Sequence, residues 1–244
     1  MRKFNWTNIW INVRLVLMFS VVIFLFSFTS KRNSDRKLTK SAVVFLGDDN
    51  LFVTHETVNK LLIENNQKAQ TIRKDKLDLN KLEKSIDNHK MIEKSQVFVS
   101  IDGVLKVVVK QKTPIARVFG ENGSFYYDYQ GNKMPLSDNF TARVPLVSGE
   151  INDKNSKDLN ELLRFIFDDA FLKKNIIGIQ ILPNGSLKIM NRNFNYEIDF
   201  GKTINMEKKF NNYKAFFQKA VLDSSLYHYK KINLKFTQQV VCTK

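Results

Sequence analysis

The chain has 244 residues, 43% of them apolar and 26% charged, so it can build a core but is too charged for a membrane protein of many spans. Lysine and arginine outnumber aspartate and glutamate by 39 to 24, and the first forty residues hold eight basic residues against one acidic residue. The remaining excess is spread thinly, which disfavours a nucleic-acid groove, because such a groove needs clustered basic and aromatic side chains. Cys242 is the only cysteine, so no internal disulfide can form. The cysteine content therefore does not indicate whether the domain lies in an oxidising or a reducing compartment.

The first predicted element is a transmembrane helix at residues 9–28, after a short basic tail at residues 1–8. From Leu15 to Phe28 the sequence carries no charge, and the whole segment has the roughly 20 residues that cross a bilayer. The alternative is a cleaved signal peptide, but the residues that follow lack the small-residue pattern of a cleavage site. Basic residues flank both ends, with more after the helix, so charge weakly favours a cytoplasmic domain without settling the orientation.

A polar, basic linker is predicted at residues 29–41, and a first domain at residues 42–112. Its elements follow from apolar spacing: a strand at residues 42–45, a helix capped by Thr54, and a second helix from about Leu79 to His89. Two further strands, at residues 95–101 and 104–111, are joined by Asp102 and Gly103, which favour a tight hairpin. The predicted order is therefore strand, helix, helix, strand, strand.

This order, directly after a membrane anchor, resembles the POTRA module, and the residues resemble its closing part in FtsQ/DivIB cell-division proteins. The residues that carry this resemblance are Val97, Val99, Val107 to Val109, and the run Gln111-Lys112-Thr113-Pro114-Ile115-Ala116. Gln111 and Ile115 stand where the family usually has Glu and Val.

The resemblance continues into the second predicted domain, residues 113–244, and is strongest to Bacteroidota-like members of the family. It is carried by Phe125-Tyr126-Tyr127-Asp128, Gly131, Met134-Pro135-Leu136-Ser137 and Val144-Pro145-Leu146-Val147-Ser148-Gly149. The order of these segments, more than any one of them, is typical of the family.

Hydrophobic spacing in this second region predicts an α+β domain with a mainly antiparallel sheet. A helix is expected from about Ser156 to Lys173, and a hairpin is expected at Asn184-Gly185 between strands at residues 176–182 and 187–190. A half-buried strand follows at residues 194–200, with Asp199 on its wet side. An amphipathic helix with Met206, Phe210, Tyr213, Phe217 and Ala220 on one face then leads to a final strand at residues 231–241.

The sequence carries no motif typical of a catalytic or metal-binding site. The histidines, His55, His89 and His228, are far apart and lack metal-ligand spacing. The adjacent carboxylates at Asp48-Asp49 and Asp168-Asp169 are expected to be solvated, and no phosphate-binding or nucleophile motif is present. The sequence therefore predicts a protein that is not an enzyme and needs no cofactor or metal.

An open sheet edge is the expected functional surface, because its unpaired N–H and C=O groups can accept a partner strand. The last strand resembles the family's C-terminal strand, which in FtsQ-like proteins binds FtsB in a complex with FtsL. Asn233, Lys235 and Phe236 replace the family's Asp, Arg and Tyr. The expected partner-binding residues are Tyr229, Lys231, Ile232, Asn233, Leu234, Lys235, Phe236, Gln238, Gln239 and Val240.

The resemblance implies a non-catalytic scaffold that recruits FtsB- and FtsL-like proteins and regulates septal peptidoglycan synthesis. It also implies an inner-membrane location at the septum, with a cytoplasmic N-terminus and a periplasmic C-terminal domain. Two alternatives were considered: a POTRA-bearing subunit that handles outer-membrane or secreted polypeptides, and an anchored hydrolase with an unfamiliar site. The first predicts repeated POTRA units or a large transmembrane β-barrel, and the sequence indicates neither. The second is disfavoured because the known hydrolase motifs are missing.

Overall fold

The protein is described here from a computed structural model, which defines residues 6–34, 38, 40–47, 52–65, 77–120 and 123–244. The chain divides into two units, Met1–Gln111 and Lys112–Lys244. An apolar helix opens the first unit, and each unit has its own sheet with helices, so the predicted α+β class is confirmed.

The apolar helix α1 spans Trp6–Ser34 and is longer than predicted. Residues 29–34, which were predicted as linker, continue the helix. Their polarity is compatible with this, because the hydroxyl of Thr29 donates to the carbonyl of Leu25, and Lys31 and Arg32 lie in the last turn, where the helix dipole favours positive charge. Residues 35–37 and 39 of the predicted linker lie outside the described residues.

The first unit has the predicted order of strand, helix, helix, strand, strand. Its elements are β1 (Lys40–Leu46), α2 (His55–Asn65), α3 (Leu79–Asp87), β2 (Ile92–Val99) and β3 (Val104–Gln111). The central strand β3 pairs parallel with β1 and antiparallel with β2. Asp48 and Asp49, which were expected to be solvated, and most of the chain between α2 and α3 lie outside the described residues.

The core of the first unit lies between its sheet and its two helices. Val58 and Leu62 of α2, and Leu82 and Ile86 of α3, are buried. On the sheet the alternate residues Leu105, Val107 and Val109 of β3 are buried too. Helix α2 begins as predicted, since the backbone N–H of Thr57 donates to the Thr54 hydroxyl at 3.2 Å. Burial of such side chains stabilises the fold by about 1.5–3 kcal/mol each.

In its described residues, the second unit has one sheet with three helices. Its strands are β4 (Pro114–Gly120), β5 (Gly123–Asp128), β6 (Lys133–Met134), β7 (Leu146–Ser148), β8 (Ile176–Ile181), β9 (Leu187–Asn191), β10 (Glu197–Gly201), β11 (Lys231–Asn233) and β12 (Val241–Thr243). Its helices are α4 (Asp153–Asp168), α5 (Ala170–Asn175) and α6 (Met206–Leu222), and a 3-10 turn lies at Ser225–His228.

Within the described residues, the strand order of this sheet is β12-β11-β10-β9-β8-β7-β4-β5-β6. Five of its eight strand pairs are antiparallel, which agrees with the predicted mainly antiparallel sheet. The hairpin predicted at Asn184-Gly185 is confirmed, because it joins β8 to β9 in an antiparallel pair.

The three helices pack together over the core of this sheet. The Phe165 ring of α4 stacks on the Phe210 ring of α6 at 5.4 Å, and the Phe171 ring of α5 meets the Phe217 ring of α6 at 5.0 Å. The core beneath them includes Ile198 and Phe200 of β10. The apolar face predicted for α6 therefore faces the core.

In the first unit, the strand predicted at residues 95–101 lies at Ile92–Val99. In the second unit, three predicted elements have limits that differ by more than one residue. The single helix expected at residues 156–173 is broken at Asp169, whose extended backbone ends α4 and whose side chain caps α5. The strand expected from Phe194 begins only at Glu197, because the Asn191 side chain accepts hydrogen bonds from the backbone of Asn193 and Phe194 and holds them in a turn. The third correction concerns the final strand.

Candidate functional site

The carboxyl-terminal end of the chain forms two short strands instead of the predicted single one. Strand β11 (Lys231–Asn233) pairs parallel with β10 on one side and antiparallel with β12 (Val241–Thr243) on the other. The prediction that residues 231–241 form one continuous edge strand is therefore wrong. In the described part of the sheet, β12 occupies that edge, and β11 is covered by the chain's own last residues.

The break between β11 and β12 has a local cause. The side-chain oxygen of Asn233 accepts a hydrogen bond from the backbone N–H of Lys235 at 2.9 Å, which turns the chain out of the ladder. Further along, the carbonyl of Thr237 accepts a hydrogen bond from the Asn212 side chain of α6 at 2.9 Å. The segment between the two strands is thereby fixed to the helix layer.

Three of the predicted site residues attach this region to the core. Ile232 and Leu234 are fully buried, and Val240 packs partly buried against the same core. Their side chains therefore hold the C-terminal hairpin, defined here as β11, β12 and the residues between them, against the sheet and helices. They are positioned to support a binding surface more than to form it.

Asp199 of β10 links the hairpin to the sheet. Its carboxylate lies 3.0 Å from Lys231 Nζ and 2.9 Å from Lys235 Nζ, and its carbonyl accepts a hydrogen bond from the backbone N–H of Leu234 at 2.9 Å. Burial alone would raise the pKa of Asp199, but the hydrogen bonds from Lys235 and Lys231 outweigh it and hold the pKa below its ordinary value. Asp199 is thus a buried carboxylate in its charged form.

The remaining predicted site residues are wholly or partly exposed. The Phe236 side chain is 53% exposed, Gln238 and Gln239 are exposed, and Tyr229 is half-buried with its ring 5.7 Å from that of Phe216. Along the chain, each of them lies within a few residues of β11 or β12.

None of the three residues of the edge strand β12 was among the predicted partner-binding residues. Val241, Cys242 and Thr243 supply its backbone, and Val241 is 41% exposed. The β-branched residues in Val240-Val241-Cys242-Thr243, after the polar Thr237-Gln238-Gln239, are the signal that could have separated this strand from β11. No pattern of the sequence alone singled out Asp199.

Side-chain chemistry offers little at this edge. Burial raises the pKa of the Cys242 thiol, so it is not an activated nucleophile. Across the described residues, no three His, Cys, Asp or Glu side chains are grouped so as to hold a metal ion.

Asp168 is exposed, as predicted, whereas Asp169 is less solvated than predicted because it is partly buried. The Tyr129 hydroxyl donates to Asp168 at 2.9 Å, and Asp169 caps α5 and pairs with Lys214. Both residues thus have structural partners, and the short strand β12 remains the feature best suited to an interaction.

Among the comparisons with known proteins, a family model gives the informative match. The family model described as FtsQ/DivIB, C-terminal related, matches residues 113–243. Among solved structures, the major extracytoplasmic domain of the trans isomer of the bacterial cell division protein DivIB from Geobacillus stearothermophilus aligns at 13% identity with a TM-score of 0.26. That alignment covers 32% of this chain and 69% of the other, and its TM-score is too low to establish a shared fold. No curated protein matches the chain significantly.

The family match extends from the first strand of the second unit to β12, and so includes the whole C-terminal hairpin. It covers more than half of the chain and confirms the resemblance found in the sequence. The protein therefore belongs to the FtsQ/DivIB C-terminal related family.

Proposed function

We propose that this protein is a non-catalytic, membrane-anchored scaffold of the cell-division machinery, and that it binds a partner by strand addition at β12. The observation that carries the proposal is the position of β12: a three-residue strand at the end of a large sheet, in a family whose name refers to the division proteins FtsQ and DivIB. An edge strand of this kind offers backbone donors and acceptors to an incoming strand.

The anchor in this proposal is α1. Its apolar span, Trp10–Asn33, has 24 residues with mean hydropathy 2.3. At 1.5 Å per residue such a helix is roughly 36 Å long, enough to cross about 30 Å of hydrocarbon. We propose a cytoplasmic N-terminus and a periplasmic C-terminal unit at the septum of the inner membrane, as in FtsQ-like proteins.

The proposed partners are FtsB- and FtsL-like division proteins. The partner strand would pair with β12, while the side chains of Tyr229, Phe236, Gln238 and Gln239 supply contacts beside the ladder. Ile232 and Leu234 support the edge from beneath, because both are buried in the core. Backbone pairing would give affinity, and the neighbouring side chains would give specificity.

Because β12 pairs with the partner while Ile232 and Leu234 pack in the core, a truncation should remove β12 without removing the two core residues. Removing residues 232–244 would also remove buried core side chains, so loss of binding could follow from unfolding of the unit. Removing only residues 241–244 takes away β12 and leaves Ile232 and Leu234 in place.

The test is affinity capture of an FtsB-like protein from membranes by the full-length chain and by variants. The chain lacking residues 241–244 is expected to lose binding. A matched variant with Val241→Ala, Cys242→Ala and Thr243→Ala keeps the backbone and is expected to retain most of the affinity. Undiminished capture by the truncated chain would overturn strand addition at β12.

The cellular role needs a separate test, in which the protein is depleted from growing cells. Blocked septation is expected, and restoration is expected from the full-length chain but not from the chain lacking residues 241–244. Normal division after complete depletion would refute the proposed role in division.

A further inference from the structure

The sheet of the first unit has one face that its helices leave open. Side chains alternate between the two faces of a strand, so the residues that neighbour the buried Leu105, Val107 and Val109 point away from the helices. Strand pairing extends this open face across all three strands. Its residues are Lys40, Ala42, Val44 and Leu46 of β1, Val104, Lys106, Val108 and Lys110 of β3, and Lys94, Gln96 and Phe98 of β2.

The open face combines exposed apolar side chains with lysines. Val44 is 50%, Leu46 54% and Phe98 44% exposed, well above what the interior-facing residues of the same strands show. The face carries four lysines, and Glu93 is the one acidic side chain among the described residues that pairs with any of them, at 2.7 Å from Lys110.

Strand register places the two kinds of residue in a definite pattern. Val44 and Val108 are direct neighbours in the middle row. Lys106 and Phe98 are neighbours in the row on one side, and Lys110 and Lys94 in the row on the other. The apolar centre is therefore bordered by positive charge at both ends, and Lys94 and Lys106 have no ion pair within the described part of the chain.

Only a short stretch of chain separates this face from the apolar helix α1. Helix α1 ends at Ser34 and β1 begins at Lys40, so the intervening chain can reach at most about 20 Å. Lys31 and Arg32, in the last turn of the helix, add positive charge near the same point. A tether of this length keeps the domain at high effective concentration beside any surface in which the helix is embedded.

We propose that the open face of the first unit docks on the membrane surface by binding anionic phospholipid headgroups. The lysines attract the headgroups, and Val44, Leu46 and Phe98 insert at the shallow boundary between headgroups and acyl chains. A second copy of the chain is a poor occupant of this face, because two such faces would bring lysines against lysines. The site is separate from the β12 edge and does not depend on the partner bound there.

The experiment uses the full-length chain in nanodiscs with neutral lipid or with added anionic lipid. Cys242→Ser removes the native thiol, and an environment-sensitive fluorophore is attached at Leu46→Cys. A control chain carries the fluorophore at Asn80→Cys, which is exposed on α3 on the opposite side of the sheet. Anionic lipid is expected to shift the emission of the Leu46 probe to the blue and to leave the Asn80 probe unchanged.

Two further measurements test the cause of this shift. Raising the salt from about 0.1 M to about 1 M shortens the screening length from about 10 Å to about 3 Å and should reverse the shift. The pair Lys94→Gln and Lys106→Gln should abolish it, whereas Lys81→Gln and Lys84→Gln on exposed α3 positions remove equal charge and should not. A probe response that is independent of lipid charge, or that follows protein concentration and not lipid, would overturn the proposal.

Discussion

The carboxylate of Asp199 accepts a hydrogen bond from Lys235 Nζ at 2.9 Å, just beyond the end of β11. The same carboxylate pairs with Lys231, the first residue of that strand. One buried acidic side chain therefore holds both ends of β11 to β10. Because β11 is the one described strand that pairs with β12, the position of the edge strand depends on this attachment.

Replacing Asp199 with Asn should loosen the C-terminal hairpin. The two charge-assisted contacts would be weakened, and we expect the free energy of unfolding to fall by about 1–2 kcal/mol, the lower part of the usual range, since both lysines are half exposed. Chemical denaturation of the full-length chain in detergent measures this change.

The matched control for Asp199 is Glu197→Gln on the same strand. Glu197 pairs with Lys188 at 2.8 Å, but both side chains lie at the surface, so the loss should stay below about 1 kcal/mol. Equal losses in the two variants would argue against a special role for Asp199.

The attachment should also depend on pH in a defined direction. The pKa of Asp199 is lower in the folded chain than its ordinary value of 3.8, so the charged form contributes stability that is fully present above that value. This contribution should disappear as pH falls below 3.8 towards the folded pKa. The difference in unfolding free energy between the wild-type chain and Asp199→Asn should accordingly stay constant down to about pH 5 and shrink as the pH falls below 3.8. A difference that grows on acidification would mean that the pKa is shifted in the opposite direction.

Gly149, directly after β7, should tolerate no side chain. Its φ is +103°, and an added Cβ would lie 2.3 Å from the carbonyl oxygen of Ile181. Gly149→Ala should cost about 3 kcal/mol, since backbone strain and overlap add together. Gly123 has a similar φ of +108° with open space around it, so Gly123→Ala should cost only about 1 kcal/mol. Similar unfolding midpoints for the two variants would show that overlap at Ile181 is relieved without cost.

Local sequence signals predicted much of the second unit. The β8–β9 hairpin followed from Asn184-Gly185 between two apolar runs, and the structure contains it within one residue of the expected limits. The amphipathic spacing of α6 likewise identified its buried face. Each of these features depends on residues that are close together in the sequence, so the sequence was sufficient to predict them.

The C-terminal edge could not be predicted in the same way. The alternation of Ile232, Leu234 and Phe236 is typical of a continuing strand, yet the Asn233 side chain and the contacts to Asp199 end it after three residues. The alternation of apolar and polar residues placed Asp199 on the solvent-facing side of its strand. Nothing near Asp199 in the sequence shows that Lys231 and Lys235 will cover it. Contacts between distant segments therefore decided which residues form the edge.

The most direct test of the central claim is amide hydrogen exchange at the two ends of the sheet, measured with and without an FtsB-like partner. Strand addition at β12 predicts that amides within residues 241–243 gain protection on binding, while those of β6 at residues 133–134 do not change. Tight binding with no change in protection at residues 241–243, or with protection confined to β6, would contradict the account.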